Sequence, residues 1–204
     1  MFGVMPFPKA DLVDALAGAL AGLEAAIRLE QAVHGLDEWP ETRLQAALAE
    51  ALSAELEVER EVHYPSATAV HKKSARVRCD LVLRARDRPL APEDALWLEL
   101  KVARQRTVGG RVDPRYGAQW RRHLIADLKK LAHDPRIRDA AIALIAFTED
   151  EEQLARDLDG FERLLVRRDV LAGFRQVRTL PIVERIGHRV CGVAVWPTVQ
   201  DAAV

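Results

Sequence analysis

Two stretches of this chain carry residue types that could do chemistry together. In ALWLELKVAR, Ala95 to Arg104, alternation puts Leu96, Leu98, Leu100 and Val102 on one face of a strand. Trp97, Glu99, Lys101 and Ala103 fall on the other. In ARVRCDLVLRA, Val77, Cys79, Leu81 and Leu83 take the core side, and Asp80 points away between Arg78 and Val82. If the two strands pair as a hairpin, Asp80, Glu99 and Lys101 converge at one end of a sheet. Two carboxylates that close, within about 4–6 Å, repel unless a cation sits between them. Hard oxygen ligands suit Mg²⁺ or Mn²⁺. Such a metal polarises a phosphate oxygen and lowers the pKa of a bound water. Lys101 could position or deprotonate that water, or stabilise charge developing on the phosphorane. The plainer reading is a surface ion pair between Glu99 and Lys101.

The elements around these strands follow from periodicity. Leu12, Leu16, Leu20, Leu23 and Ile27 predict a helix over Lys9 to His34, punctuated by Gly35 and Pro40. Leu44, Leu48 and Leu52 mark a second helix from Glu41. The period then changes to two: LEVEREVHY is a strand with Leu56, Val58, Arg60 and Val62 on one face, and the two strands above follow, joined by a turn through Asp87, Pro89 and Pro92. Gly109, Gly110 and Pro114 make a loop of Val108 to Tyr116. A helix over GAQWRRHLIADLKKLAHD carries the ridge Leu124, Leu128 and Leu131. DAAIALIAF reads as a strand inside a sheet. A helix over residues 150–174, with Gly160 as its weak point, and a last strand in HRVCGVAVWP complete the chain. The order α-α-β-β-β-α-β-α-β implies a three-layer α/β/α fold around a mixed sheet of about five strands. Residues 1–40 read as a helical extension on a single compact domain, residues 41–204.

Asp80, a hairpin turn and then Glu99-Leu100-Lys101 resemble the PD-(D/E)XK nuclease superfamily, which includes type II restriction enzymes and Holliday-junction resolvases. The order α-β-β-β-α-β, roughly Glu41 to Phe147, is similar to its common core. Asp80 follows Cys79 here, not Pro. The resemblance implies a restriction endonuclease-like fold and a Mg²⁺- or Mn²⁺-dependent endonuclease acting on DNA, with metal on Asp80 and Glu99. It also implies an acidic residue on the helix before the three strands, and Glu41 fits best. Glu41 reads equally as a charge favourable to the helix dipole. Tyr116 and Gln119 resemble positions that line the site in some members, Gln119 being the catalytic candidate.

The helix after the three strands offers a polar stripe of Gln119, Arg122 or His123, Asp127 and Lys130, spaced three or four apart. Beside Lys101 this stripe could follow a phosphate backbone; Arg104, Arg106, Arg121, Arg122, Lys129 and Lys130 are its nucleic-acid candidates. An ordinary solvated face with an Asp127–Lys130 pair is the alternative.

Charge is unevenly distributed, which fits either one basic surface or two solvated helical faces of opposite sign that partly neutralise each other. The formal net charge is −1, which excludes a globally basic binder. Asp11 to Glu61 nevertheless holds 12 Asp and Glu against 3 Lys and Arg, and Lys101 to Arg138 holds 11 Lys and Arg against 3 Asp. The two cysteines, Cys79 and Cys191, rule out a cysteine zinc site. The histidines lack zinc spacing, Gly109-Gly110 is no phosphate loop, and Ser66 and Ser74 lack an elbow sequence, so no organic cofactor is expected. No apolar run is long enough for a membrane, and a cytoplasmic location is expected. A homodimer would let two sites cut two strands. The competing functional reading is a catalytically inactive nuclease-fold module that binds nucleic acid or a protein partner.

Overall fold

The computed structural model describes residues 8–66, 78–86 and 95–199. The elements are α1 (Lys9–Leu29), a 3-10 turn (Leu36–Glu38), α2 (Glu41–Leu52), β1 (Leu56–His63), β2 (Arg78–Ala85), β3 (Leu96–Arg104), α3 (Tyr116–Ala132), β4 (Asp139–Thr148), α4 (Glu151–Arg167), β5 (Gln176–Pro181) and β6 (Val190–Pro197). The turn expected through Asp87, Pro89 and Pro92, and the positions Val77, His71 and Ser74, lie outside the described residues.

Six strands form one mixed sheet in the order β1-β2-β3-β4-β6-β5. β1, β2 and β3 pair antiparallel, β4 runs parallel to β3, and β6 and β5 follow antiparallel. The parallel step follows from α3, which carries the chain across one face before β4 begins. β4 is buried along its whole length, as its unbroken apolar run requires of a strand covered on both faces. Leu12, Leu16 and Leu20 of α1 and Leu44 and Leu48 of α2 pack with Leu98, Ala143 and Val193 on one face. Leu124 and Leu128 of α3 and Leu158 and Phe161 of α4 pack with Trp97, Ile142 and Trp196 on the other. Gly192 of β6 permits close docking of α4, because a Cβ there would lie 2.3 Å from Leu154 Cδ2.

The α/β class and the layering match the sequence expectation, but the strand count and order do not. The extra strand is β5, so the order ends α-β-β. Its hydrophobic pattern is weak because it is an edge strand carrying Arg178 and Thr179 and ending on Pro181, which cannot donate to a ladder. Two helices are also shorter than their periodicity implied. α1 stops at Leu29, and α4 stops at Arg167, where Asp169 takes a positive φ of 50°. α1 contacts α2, β5 and β6 and shares the sheet's core.

Candidate active site

The site forms where β2 and β3 part. Their ladder ends at the pair Leu81–Leu98. β3 continues for six residues along β4, so its N–H groups on the β2 side need other acceptors. Two acidic side chains supply them. Asp80 Oδ2 accepts the Leu100 N–H at 2.7 Å, and Glu41 Oε2 accepts the Val102 N–H at 2.8 Å.

A kink in β1 accompanies the split. The β1–β2 register keeps Arg60 opposite Leu81 and Val62 opposite Cys79, but Glu61 and Asp80 drop out of the ladder. Glu61 takes a φ of 53°, a left-handed conformation costing a non-glycine residue about 1–2 kcal/mol. Gln45 of α2 braces the kink, its Nε2 donating to Glu61 Oε1 at 3.3 Å and to the Asp80 carbonyl at 3.1 Å. Alternation breaks here. Leu81 and Leu83 face the α1–α2 layer, whereas Cys79 joins the α3–α4 side, so the expected single core face for all three is corrected.

Asp80, Glu99 and Lys101 do come together. The Asp80 and Glu99 carboxyls are within hydrogen-bonding reach of each other. Burial and then the Glu99 charge push Asp80 up to about 7, against the Leu100 N–H and the Lys101 ammonium, which pull it down. Lys101 Nζ lies 3.3 Å from Glu41 Oε1, 3.9 Å from Asp80 Oδ2 and 4.0 Å from Asp127 Oδ2. Burial works against the Lys101 charge, but Asp80, then Glu41 and Asp127, outweigh it and raise its pKa above the ordinary lysine value.

Three further residues complete the cluster. Glu99 is only 2% exposed, and its Oε1 accepts from the Tyr64 hydroxyl and lies 2.6 Å from Lys130 Nζ. Lys130 also bonds Asp127 Oδ1 at 3.0 Å. Tyr64 arrives from the end of β1 because Asp134, just past α3, clamps the next turn through the Ser66 N–H and hydroxyl; its ring packs on Trp97. Sequence gave no signal for Tyr64, whose partner is 35 residues away. Asp127 and Lys130 did carry a signal, their helical spacing from Gln119 and His123, but it pointed to a phosphate-following stripe or a solvated face and not to Glu99.

A cleft of about 670 Å³ opens beside Lys101, lined among others by Glu41, Arg104, Arg106, Tyr116, Gln119 and His123. Gln119 is exposed on its wall, away from the Asp80–Glu99 pair. Gln119 also lines a second cleft with Arg115, Arg122 and Arg168. Of the residues expected to grip nucleic acid, several are held internally. Arg104 donates to the carbonyls of Asp37 and Trp39, and burial lowers its pKa. Arg106 bonds Glu149 at 2.7 Å, and Arg121 bonds Asp157 at 2.9 Å. Arg122 and Lys129 are exposed.

The cleft wall rests on a buried pair. His188 and Asp37 are both fully buried, with Nδ1 2.8 Å from Asp37 Oδ2, while Nε2 accepts the Arg106 N–H at 2.9 Å. That acceptance leaves the ring proton on Nδ1 in the neutral tautomer, donating to Asp37.

The cluster's charges suit a hard divalent cation. Four carboxylates (Asp80, Glu99, Asp127, Glu41) face two ammonium groups (Lys101, Lys130), and Asp127 Oδ2 is buried without a hydrogen-bond donor. Among the described residues no three His, Cys, Asp or Glu side chains form a ready cluster of ligands. Glu41 is turned to Lys101 and the β3 backbone, not gathered with Asp80 and Glu99. Mg²⁺ needs no such cage, since it commonly uses one or two carboxylates together with water and phosphate oxygens. No family model, curated protein or solved structure matches this chain. Among the described residues no helix is long and apolar enough to cross a membrane.

Proposed function

We propose that this chain is a metal-dependent nuclease that hydrolyses DNA phosphodiester bonds, with a restriction endonuclease-like core. The observation that carries the reading is the meeting of the Asp80 and Glu99 carboxyls beside Lys101, at the point where β2 leaves β3. Two buried carboxyls held this close raise each other's cost of ionising, an arrangement that favours taking up a cation.

Asp80 and Glu99 would hold Mg²⁺ or Mn²⁺. Asp80 Oδ2 is engaged by Leu100, which leaves its second oxygen for the ion, while Glu99 Oε1 is held by Tyr64 and Lys130. When bound, the ion supplies Lewis-acid polarisation of the phosphate and activation of water. Lys101 does not act as the base, because its carboxylate neighbours keep it protonated. Its ammonium instead orients the attacking water and stabilises the charge that builds on phosphate oxygens. Glu41 fixes Lys101 in place and, through the Val102 N–H, fixes the strand that carries it. The cleft beyond Lys101 opens toward Gln119, Arg115, Arg122 and Arg168, which suits an extended polyanion more than a small phosphate ester.

The test is incubation of supercoiled and linear DNA with the full chain and Mg²⁺ or Mn²⁺, alongside Lys101→Ala and Asp80→Asn. Metal-dependent cleavage lost in both variants is expected. Cleavage that persists in both would overturn the site. No cleavage of any nucleic acid would leave a binding module.

A further inference from the structure

Lys130 stands in an unusual position for a helix lysine. α3 lies on the sheet through Leu124, Leu128 and Leu131, and Asp127 and Lys130 follow one another by a turn along its flank. Lys130 therefore turns toward β3, where its ammonium meets an acidic side chain that is almost fully buried. Its side chain is 30% exposed and that of Glu99 is 3%, so this is not a solvated surface pair.

We infer that Lys130 is a tethered cation that neutralises Glu99 before metal arrives, so that a divalent ion binds Asp80 and Glu99 only by displacing Lys130 from Glu99. The inference rests on reading Asp80 and Glu99 as the metal-binding carboxylates. Three features support it. Glu99 Oε1 is already saturated by Tyr64 and Lys130, and the Lys130 ammonium also lies over the Tyr64 ring, 4.8 Å from its centre. A divalent ion approaching Glu99 would meet this unit positive charge at close range. Asp127 then provides somewhere for the displaced ammonium to stay, since it holds Lys130 at 3.0 Å by Oδ1 and has a buried second oxygen without a donor. A four-carbon stem with rotatable bonds allows that short shift. Lys130 is thus a positioning residue: it holds the Glu99 carboxyl in place without metal, and it sets how tightly metal is held.

The experiment is Mn²⁺ titration of the full chain at pH 8 without DNA, following loss of the free-ion electron paramagnetic resonance signal. Removing a charge about 4 Å from a divalent ion changes affinity by about tenfold or more even at high effective dielectric. Lys130→Met is expected to bind Mn²⁺ tighter by about that factor, Lys129→Met to match the parent, and Asp80→Asn to lose the site. Asp80-dependent binding that is unchanged or weaker in Lys130→Met would overturn the role of Lys130. Binding that is absent, or indifferent to Asp80→Asn, would instead overturn the metal reading and Lys130's role with it. A measurement on the unsubstituted chain covers a folding failure of Lys130→Met. In ¹⁵N-lysine side-chain spectra, saturating Mg²⁺ should move the Lys130 ammonium signal and leave Lys129 in place. A stationary Lys130 signal would overturn the inference.

Discussion

The Asp80 carboxylate accepts the Leu100 N–H of β3 at 2.7 Å, so a side chain of β2 does the work of a β2 ladder carbonyl. The hydrogen bond gives Asp80 a structural role beside the metal-binding one proposed for it, and two substitutions separate the two. Asp80→Asn keeps an oxygen for the N–H and removes the charge facing Glu99. It should fold with stability near that of the parent at pH 4, where the parent carboxyl is also neutral, and above it at pH 8 in the absence of metal. Asp80→Ala orphans a part-buried N–H and should lose about 1–3 kcal/mol in urea unfolding. Both should abolish metal-dependent cleavage. Equal stability losses would mean that the hydrogen bond contributes nothing.

The metal-free protein should lose stability as pH rises. Asp80 titrates near 7 when folded, above the ordinary value of 3.8. The folded chain therefore holds a proton that the unfolded chain has released, and the native state is favoured most below the unfolded value. That advantage is lost as pH rises from about 4 through 7, at no more than about 1.4 kcal/mol per unit for one proton. Urea midpoints of the parent should fall relative to Asp80→Asn across this window, and Mg²⁺ at pH 8 should restore part of the difference. Parallel curves for the two proteins would contradict the shared site.

Parity made Glu99 and Lys101 legible, because a strand's faces are set by a period of two. Asp80 was legible by the same rule, although its position depends on the Glu61 kink and the end of the β2–β3 ladder, which no local pattern announces. The site's other half was not legible. Tyr64 meets Glu99 only after β1, β2 and β3 assemble, and Lys130 read as a phosphate contact because a helical stripe does not say what lies opposite. β5 was missed for a related reason, since an edge strand with Arg178 tied to Asp14 of α1 needs little apolar alternation.

Lys101 should act as a cation and not as a base. Its pKa is raised by Asp80, Glu41 and Asp127 against burial, so it stays charged through the neutral range. Lys101→Met should lower single-turnover cleavage by about 10²-fold or more, the scale of losing a charge-stabilising donor. Lys101→Arg, which keeps the charge, should recover part of that loss. The rising limb of the pH–rate profile should remain in Lys101→Arg, because it does not report lysine deprotonation. A limb that moves with the substituted side chain would assign Lys101 as the base.

Asp37 and His188 should set the rigidity of the cleft wall. Both are fully buried, and the Arg106 N–H depends on His188 Nε2. His188→Ala strands a buried carboxylate and orphans that N–H, so a loss of about 3–5 kcal/mol is expected in urea unfolding. Asp37→Asn keeps an acceptor for the Nδ1 proton and should cost less than Asp37→Ala. A loss for His188→Ala below 1 kcal/mol, on the order of a single surface pair, would show that the wall is held by other contacts.

The outward arginines should carry the electrostatic part of DNA binding. Arg115, Arg122 and Arg168 line the second cleft with Gln119, whereas Arg104, Arg106 and Arg121 are committed to carbonyls or carboxylates within the fold. Each duplex phosphate contact contributes about −0.9 to the slope of log affinity against log salt. Reversing the three outward arginines to Glu should therefore flatten that slope by about 2–3 and weaken binding to all sequences alike. Fluorescence anisotropy with a labelled duplex and no metal measures this without cleavage. Lys129→Glu alone tests whether the footprint extends along α3, and a slope that changes with Lys129 but not with the three arginines would move the DNA path to that flank of the helix.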